Sequence, residues 1–534
     1  MLIKKIVPLL LFVSLPLHAQ DSLLLRDYGY VKQYDPWLTH KNAAALTRYA
    51  RQNIVEAEAF VTKGNGGLVD YTDSRNTLEA GACVESFYRL SRRVVGYGAI
   101  SYANWTGRDM TGSAFMQDRM PFNLVEDSLT NDGRKHRDTY RLTGGLGVDV
   151  WQGISFGARL DYTSANYAKY KDLRHKNKLM DLSLTLGAYA PVSSWMSVGA
   201  DYTYQRTTES VTFGAYGKSD KVYKTLIDYG AMMGRVEQFG NEGFTDKSRE
   251  MPFFEDGHGG SLQLELRPWT ARDVTLFASL DLHHETGYYG RKSPYTITYT
   301  NHGRDVFEAQ GRLSYGIAAS RMFLDMRYAH EKTVNRAETY RPLINDAGST
   351  YYEYYDAAET GTRKWDDLSL HYTLQLGLCE ELPGWQIVAG YQLCQRQQTA
   401  YLYPFFRYQH LKRNTASLAA TRNLIMSKGV LSVALQASYG KGSGEPCQDG
   451  TFTTPDDRQE PPATMEAFLL REYRYLTAAQ YGVGGSVKYA FRFPGTRLKT
   501  HARVLVDYRT TSEENPYTQG NGHVQVGLAI GCTF

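Results

Sequence analysis

Apolar and polar residues alternate with a period of two along much of the chain. In the last segment Val524, Val526, Leu528, Ile530, Cys532 and Phe534 share one face, and Gln525, Gly527, Ala529, Gly531 and Thr533 share the other. A period of two marks a half-buried strand, because successive side chains point to opposite faces of a sheet. The pattern recurs in pairs. Leu182, Leu184, Leu186 and Ala188 precede Met196, Val198, Ala200 and Tyr202; Leu262, Leu264 and Leu266 precede Leu276, Ala278, Leu280 and Leu282. Leu368–Leu378 with Trp385–Leu393, and Tyr481–Phe493 with Leu498–Tyr508, repeat it.

Counting all such segments from near Asn53 predicts about eighteen strands. Short connections are expected near residues 90–93, 152, 191–194, 269–272, 318–320, 381–384, 425–428 and 494–496. Longer ones are expected between them, notably 106–138, 206–258, 333–363 and 441–470, in strict alternation with the short ones. Short turns on one side and long loops on the other are the arrangement of outer-membrane barrels. The expected fold is therefore all-β, a single transmembrane antiparallel barrel over residues 51–534. A propeller would repeat a blade motif, and none is visible. The final strand also ends on Phe534, which resembles the C-terminal recognition strand of bacterial outer-membrane proteins. That resemblance implies that Phe534 is an assembly signal read by the barrel-assembly machinery.

Residues 1–19 read as an export signal, with Lys4 and Lys5 before an apolar stretch from Ile6 to Leu17 and a small-residue site at Leu17-His18-Ala19. The apolar stretch is well short of the roughly 20 residues a spanning helix needs. Residues 20–50 are then a periplasmic N-terminal segment or hatch. Too few residues precede the first strand for the globular plug of an energy-coupled receptor, so active import by this chain alone is not expected.

Composition agrees with a barrel facing lipid outside and water inside: 41 Tyr and 49 Gly, with a mean hydropathy of −0.45. A net charge of only +4 gives no nucleic-acid footprint. Five cysteines with irregular spacing suggest neither a disulfide framework nor a zinc motif.

Barrels of sixteen to eighteen strands leave an aqueous channel. The inferred inner face carries both signs of charge. The candidate pore-lining residues are Arg141, Asp149, Arg159, Asp161, Asp201, Glu265, Arg267, Asp281, Arg312, Asp325, Arg327, Arg492, Lys499, Arg503 and Asp507, with Lys488 beside them. Unpaired charge in a dry core costs several kcal/mol per ion, so these positions imply water, cross-strand pairing, or both. Arg492, Arg497, Lys499 and Arg503 on one hairpin predict a local positive excess. Ser279, between Asp281 and Phe277, is expected to face open lumen and to tolerate Arg.

Gly153-Ile154-Ser155-Phe156-Gly157 matches the nucleophile-elbow pattern, but that elbow needs a strand-to-helix turn, and here the segment continues as a strand. His283-His284-Glu285 suggests metal ligands until the alternation is applied, which puts the two imidazoles on opposite faces. No catalytic, metal or cofactor residues are assigned, and no enzyme activity is expected. The connection 206–258 carries Tyr216, Tyr223, Tyr229, Phe239, Phe244, Phe253 and Phe254. That is too aromatic for a solvated tail, so it is expected to fold inward or over the outer mouth.

Asn42-Ala43-Ala44-Ala45-Leu46 resembles the N-P-A-x-L element in the N-terminal hatch of the long-chain fatty-acid transporter family, departing at Ala43. The resemblance implies a lumen plug that gates a path for hydrophobic ligands, in a barrel of typically fourteen strands. The plainer reading is a short amphipathic segment capping the periplasmic mouth. The leading expectation is an outer-membrane channel for passive or facilitated passage of small solutes. The alternatives are a non-transporting surface-binding or accessory barrel, and a hydrophobic-ligand transporter with a hatch. Outer-membrane lipids, the assembly machinery, small solutes and neighbouring envelope proteins are the expected partners.

Overall fold

The computed structural model describes residues 25–534 except 118, 127–130, 218–219, 241–243, 246–249, 269–272, 494–495, 497 and 519. The predicted export signal and the tip of the 269–272 turn lie outside the described residues, as does Arg497.

Eighteen strands close into one antiparallel barrel. In order they are Ile54–Gly66, Asn76–Arg89, Val94–Met110, Gly133–Trp151, Ile154–Lys169, Arg174–Pro191, Met196–Gly214, Met251–Leu266 and Val274–Gly290, then Thr298–Ile317, Ser320–Ile344, Thr350–Cys379, Leu382–Leu402, Phe405–Met426, Gly429–Gly444, Gln480–Arg492, Lys499–Thr511 and Gly522–Thr533. Each pairs with its sequence neighbour. The first pairs with the last from Glu56↔Thr533 to Gly66↔His523. Val55 and Phe534 exchange backbone hydrogen bonds of 2.9 and 3.0 Å at that seam. An even strand number leaves both ends of the barrel on the same side, next to the short turns.

The alternation sets the faces. Leu262, Leu280, Leu282, Leu435, Val483, Leu528 and Ile530 are exposed on the outer wall, where a bilayer covers them. Their neighbours in sequence point into the lumen. No described helix is long and apolar enough to cross a membrane.

Six of the eight short turns fall within a few residues of their predicted places; for the turns predicted at 269–272 and 494–496, whose tips lie outside the described residues, the flanking strands end at Leu266 and Arg492 and resume at Val274 and Lys499. The loop pattern needs two corrections. Residues 333–363 are not a loop: the strands Ser320–Ile344 and Thr350–Cys379 run 25 and 30 residues and meet at a turn of residues 345–349. A spanning strand needs only ~9–11 residues, so this hairpin projects well beyond the barrel rim. Its outer part is rich in Thr, Tyr and Glu on both faces, which leaves no apolar alternation to read. Nor is the alternation of short and long connections strict. The outer turns at residues 170–173 and 403–404 are as short as those on the other side.

The lumen is filled at two levels. Residues 25–52 lie inside the periplasmic end as two short helices, Tyr28–Tyr34 and Pro36–Thr39, and a 3-10 turn, Ala43–Arg48. At the outer end, the long loops fold inward and build a second sheet of four strands, in the order Ala463–Thr464, Met233–Gln238, Lys224–Gly230 and Asn123–Glu126. The helix Glu466–Thr477 packs beside it, Phe468 and Leu469 clustering with Val125 and Leu226. The aromatic 206–258 segment explains why this canopy forms. Tyr229, Phe244 and Phe253 are buried in one cluster with Phe115, Phe122 and Tyr289, and Tyr223 and Phe239 pack against it. Tyr216 and Phe254 are the exceptions: Tyr216 is exposed, with Arg174 5.0 Å from its ring, and Phe254 sits on the wall strand Met251–Leu266, 5.2 Å from Tyr288.

Candidate functional site

The lower partition is built around small residues. Gly147, Gly157 and Gly187 pair directly across three adjacent strands. A Cβ at Gly147 would sit 2.5 Å from the Ala43 carbonyl, one at Gly157 2.2 Å from the Ala44 nitrogen, and one at Gly187 2.1 Å from Asn42 Oδ1. The missing side chains form a trough into which the alanine turn settles. Asn42 caps that turn by accepting from the Ala44 amide at 3.1 Å. Its amide nitrogen donates to the carbonyl of Ala188 at 2.9 Å and to Gln263 Oε1 at 2.9 Å.

Trp37 is completely buried. It lies edge-on to Tyr189 and Phe277, each at 5.1 Å, and donates its indole N–H to Glu265 at 2.6 Å. Arg48 joins Glu265 at 3.0 Å, Asp35 at 3.4 Å and the Tyr189 hydroxyl at 2.8 Å. His40 receives the Asn42 amide on Nδ1 at 3.2 Å, so the neutral ring carries its proton on Nε2, facing Ser279 Oγ at 3.0 Å. Burial is the main cause that holds the His40 imidazole down at about 4. Burial opposes ionisation of Asp27 as well, but Lys488 and Lys499 outweigh it and hold that carboxyl at about 2.

The predicted inner-face residues do point inward, and seven of the sixteen, Glu265 among them, serve the lower partition. Lys488 pairs with Asp27 at 2.9 Å, Lys499 donates to the Arg26 carbonyl at 2.6 Å, and Arg312 to the Gln33 carbonyl at 2.7 Å. Arg159 reaches the His40 carbonyl at 3.4 Å; Asp201 lies 3.9 Å from His40, and Asp281 4.0 Å from Lys41. The others pair along the wall: Asp161 with Arg159 at 2.8 Å, Asp325 with Arg312 at 2.5 Å, Arg327 with Glu308 at 2.6 Å, Arg267 with Glu265 at 2.7 Å and Arg503 with Glu58 at 2.6 Å. Asp507 binds Gln436, Asp149 accepts from the Gly153 amide at 3.2 Å, and Arg492 donates to the Thr496 carbonyl at 2.7 Å. Arg141 is exposed to the lumen. The expected positive excess on the last hairpin is thus offset by Asp27, Glu58 and a backbone carbonyl. Ser279 is not in open lumen either: it is 3 % exposed, beneath His40.

Above the lower partition, a cavity of about 290 Å³ runs from Pro36 past Arg312, Arg327 and His371. Beneath the canopy lies a larger one of about 560 Å³. Trp365, in its wall, pairs with Glu331, four residues beyond Arg327 on the same strand and so roughly 13 Å further out. The canopy that roofs it is tied to the barrel by ion pairs: Arg396 binds Glu472 at 2.6 and 2.8 Å, Arg363 binds Asp228 at 3.3 Å, and Arg119 binds Asp367 at 2.6 Å. The buried pair Lys169–Glu126 holds another edge, and Glu209 accepts from the Met116 amide at 2.7 Å.

The sequence reading missed this upper cavity. Trp105 and Trp365 occupy inward positions of polar strands, which is anomalous for a water-filled channel and is the one signal available. The canopy residues Arg119 and Glu472 come from loops and carry no such signal. His283 faces inward and His284 outward, and no group of three metal-ligating residues occurs among the described residues.

Likeness to solved structures is low. The ferric preacinetobactin receptor BauA of Acinetobacter baumannii aligns over 91% of this chain and 80% of its own, at 9% identity and a TM-score of 0.43. The outer membrane transporter YddB of Escherichia coli aligns over 91% and 81%, at 8% identity and 0.42. The FrpB iron transporter of Neisseria meningitidis aligns over 92% and 83%, at 9% identity and 0.40. A comparison with curated proteins gives no match. The resemblance of Asn42–Leu46 to the fatty-acid transporter hatch does not hold, because the barrel has eighteen strands and residues 43–534 match a different family model. By that match the chain belongs to a family of unknown function, DUF6850.

Proposed function

We propose that the chain is an outer-membrane barrel for gated passage of a small solute, shut at rest rather than standing open as a porin. The observation that carries this reading is the double closure: a partition at each end of the lumen, with cavities between them. A barrel this wide leaves a channel unless something fills it. Here the filling is made by the chain itself, through contacts that lie outside the barrel's own strand ladder. A cavity of about 560 Å³ is within the usual size of a small-molecule site.

The reading is non-enzymatic. Ser155, the one residue in a nucleophile-like pattern, is fully buried and shares a 2.8 Å hydrogen bond with Thr47 of the lower partition. Lipid covers the apolar wall, and the assembly machinery reads the strand ending at Phe534.

Liposome swelling tests the proposal. Wild-type proteoliposomes should swell slowly in small sugars, and a variant lacking residues 25–50 and the hairpin 224–238 should swell fast. Equal, fast swelling of both would return the chain to the open-channel reading. A second reading, an accessory barrel that binds at the surface, draws on the projecting hairpin of residues 320–379, where Tyr354 and Tyr355 are exposed. It gains if both variants are equally slow.

A further inference from the structure

The wall of the upper cavity combines aromatic rings and guanidinium groups in an unusual way. Trp365 has two guanidinium groups over its ring, Arg119 at 4.4 Å and Arg396 at 5.5 Å from the centroid. Arg137 lies 5.3 Å from the centroid of Trp105. Arg119, Arg363 and Arg396 have carboxylate partners. Arg137 makes no ion pair among the described residues, and Arg413 donates only to the carbonyls of Leu476 and Tyr475, at 2.7 and 3.4 Å.

The unpartnered atoms point the same way. Among the described residues lining this cavity, four buried side-chain atoms have no hydrogen-bond partner: Gln117 Nε2, Arg363 Nε, Trp365 Nε1 and Arg396 Nε. All four are N–H donors, and none is an acceptor. Arg363 and Arg396 are each 7 % exposed. Buried polar groups are normally satisfied, so a one-sided set of donors leaves this wall rich in N–H groups and short of acceptors. Four acids among the described residues line the wall, of which Asp73 is exposed. Glu472 and Asp228 are held by Arg396 and Arg363. Burial, with Glu472 nearby, pushes the Asp70 carboxyl above the usual carboxylate range.

We propose that this cavity binds a small planar organic acid, its carboxylate among the arginine and tryptophan N–H groups and its ring against Trp105 and Trp365. This inference rests on the gated-passage reading and names the class of solute. Flat π-systems suit both indole faces and the planar guanidinium groups. Carboxylate is the planar acceptor that an arginine fork matches.

The probe is 4-hydroxybenzoate, titrated calorimetrically into the full chain in detergent, with 4-hydroxybenzamide as its uncharged isostere and inorganic phosphate as the ion without a ring. The acid should bind at least tenfold tighter than either. Arg137→Gln, which breaks no ion pair, should remove most of that preference while heat-modifiable migration reports an intact barrel. Equal binding of acid and amide, phosphate binding as tight as the acid, or an unchanged preference in both Arg137→Gln and Trp105→Leu would overturn the site. Should the acid fail to bind while swelling still follows loss of the partitions, the site falls and gating stands. Should it bind while swelling ignores the partitions, the site stands and gating falls.

Discussion

Trp37 donates its indole N–H to a Glu265 carboxylate oxygen at 2.6 Å, joining residues 228 positions apart inside the barrel. The bond ties the N-terminal segment to the wall, and the same carboxylate holds Arg48. Removing Trp37 leaves a hole between Tyr189 and Phe277. Trp37→Ala should weaken docking of residues 25–52 by about 3–5 kcal/mol. Glu265→Gln should weaken it too, by leaving Arg48 with Asp35 as its one carboxylate partner among the described residues. Protease cleavage within residues 25–52 of the folded barrel should rise in both variants, and the barrel itself should keep its heat-modifiable migration.

The glycine trough offers a sharper test, because the wall can be altered without touching the segment. Gly157→Ala and Gly187→Ala put a Cβ into Ala44 and Asn42. Overpacking of this kind costs typically 1–3 kcal/mol, and it should appear as looser docking rather than as a failed barrel. Gly144→Ala, where a Cβ would meet nothing within 4 Å, is the control. If Gly144→Ala loosens the segment as much as Gly187→Ala does, the trough has no specific role.

Leu280 and Ser279 separate the two faces of one strand. Leu280 is 53 % exposed on the lipid side. Leu280→Arg should destabilise the barrel by roughly 2–4 kcal/mol if it lies at the bilayer midplane, measured by urea unfolding in lipid. Ser279→Arg should instead leave the barrel standing and push His40 out of its place. Strand alternation alone reads each inward position as wet and so predicts tolerance at Ser279. That reading needed the contents of the lumen, which strand alternation does not give.

His40 makes docking depend on pH. In the free segment its imidazole titrates near 6.5; when docked it is held at about 4 by burial first and by Lys41 next. The docked form therefore binds fewer protons between those values. Docking is at full strength above pH 6.5 and loses up to roughly 3 kcal/mol as pH falls towards 4. The Asp27 carboxyl is shifted downward as well, and its support for docking is lost only as pH falls from 3.8 towards 2. A spin label at Gly29→Cys, in a background without native cysteines, should gain mobility between pH 6.5 and 4 in the parent. It should change much less in His40→Gln. An equal rise in both would remove His40 from the account.

The wall was legible because lipid demands an apolar residue at every second position, as Leu262, Leu264 and Leu266 illustrate. The same logic located Arg312, Lys488 and Lys499 on the inner face. It could not tell that Lys488 faces Asp27 instead of water, since that contact joins residues 461 positions apart. The projecting hairpin was missed for the opposite reason: with water on both sides, Tyr351 to Tyr355 need no alternation. The canopy was visible only as an excess of aromatic residues in 206–258. Its partners from the loops 111–132 and 445–479 meet it through tertiary packing alone.

Planar-bilayer conductance measures the central claim most directly, that this chain closes its own lumen at both ends. The wild type should be silent or nearly so at moderate voltage. Loss of residues 25–50 together with the hairpin 224–238 should give stable, large conductance steps, and loss of either alone should give rare or small ones. A wild-type barrel that conducts steadily at the size expected of an empty eighteen-stranded pore would contradict the claim, as would a doubly shortened barrel that is folded, inserted and still silent.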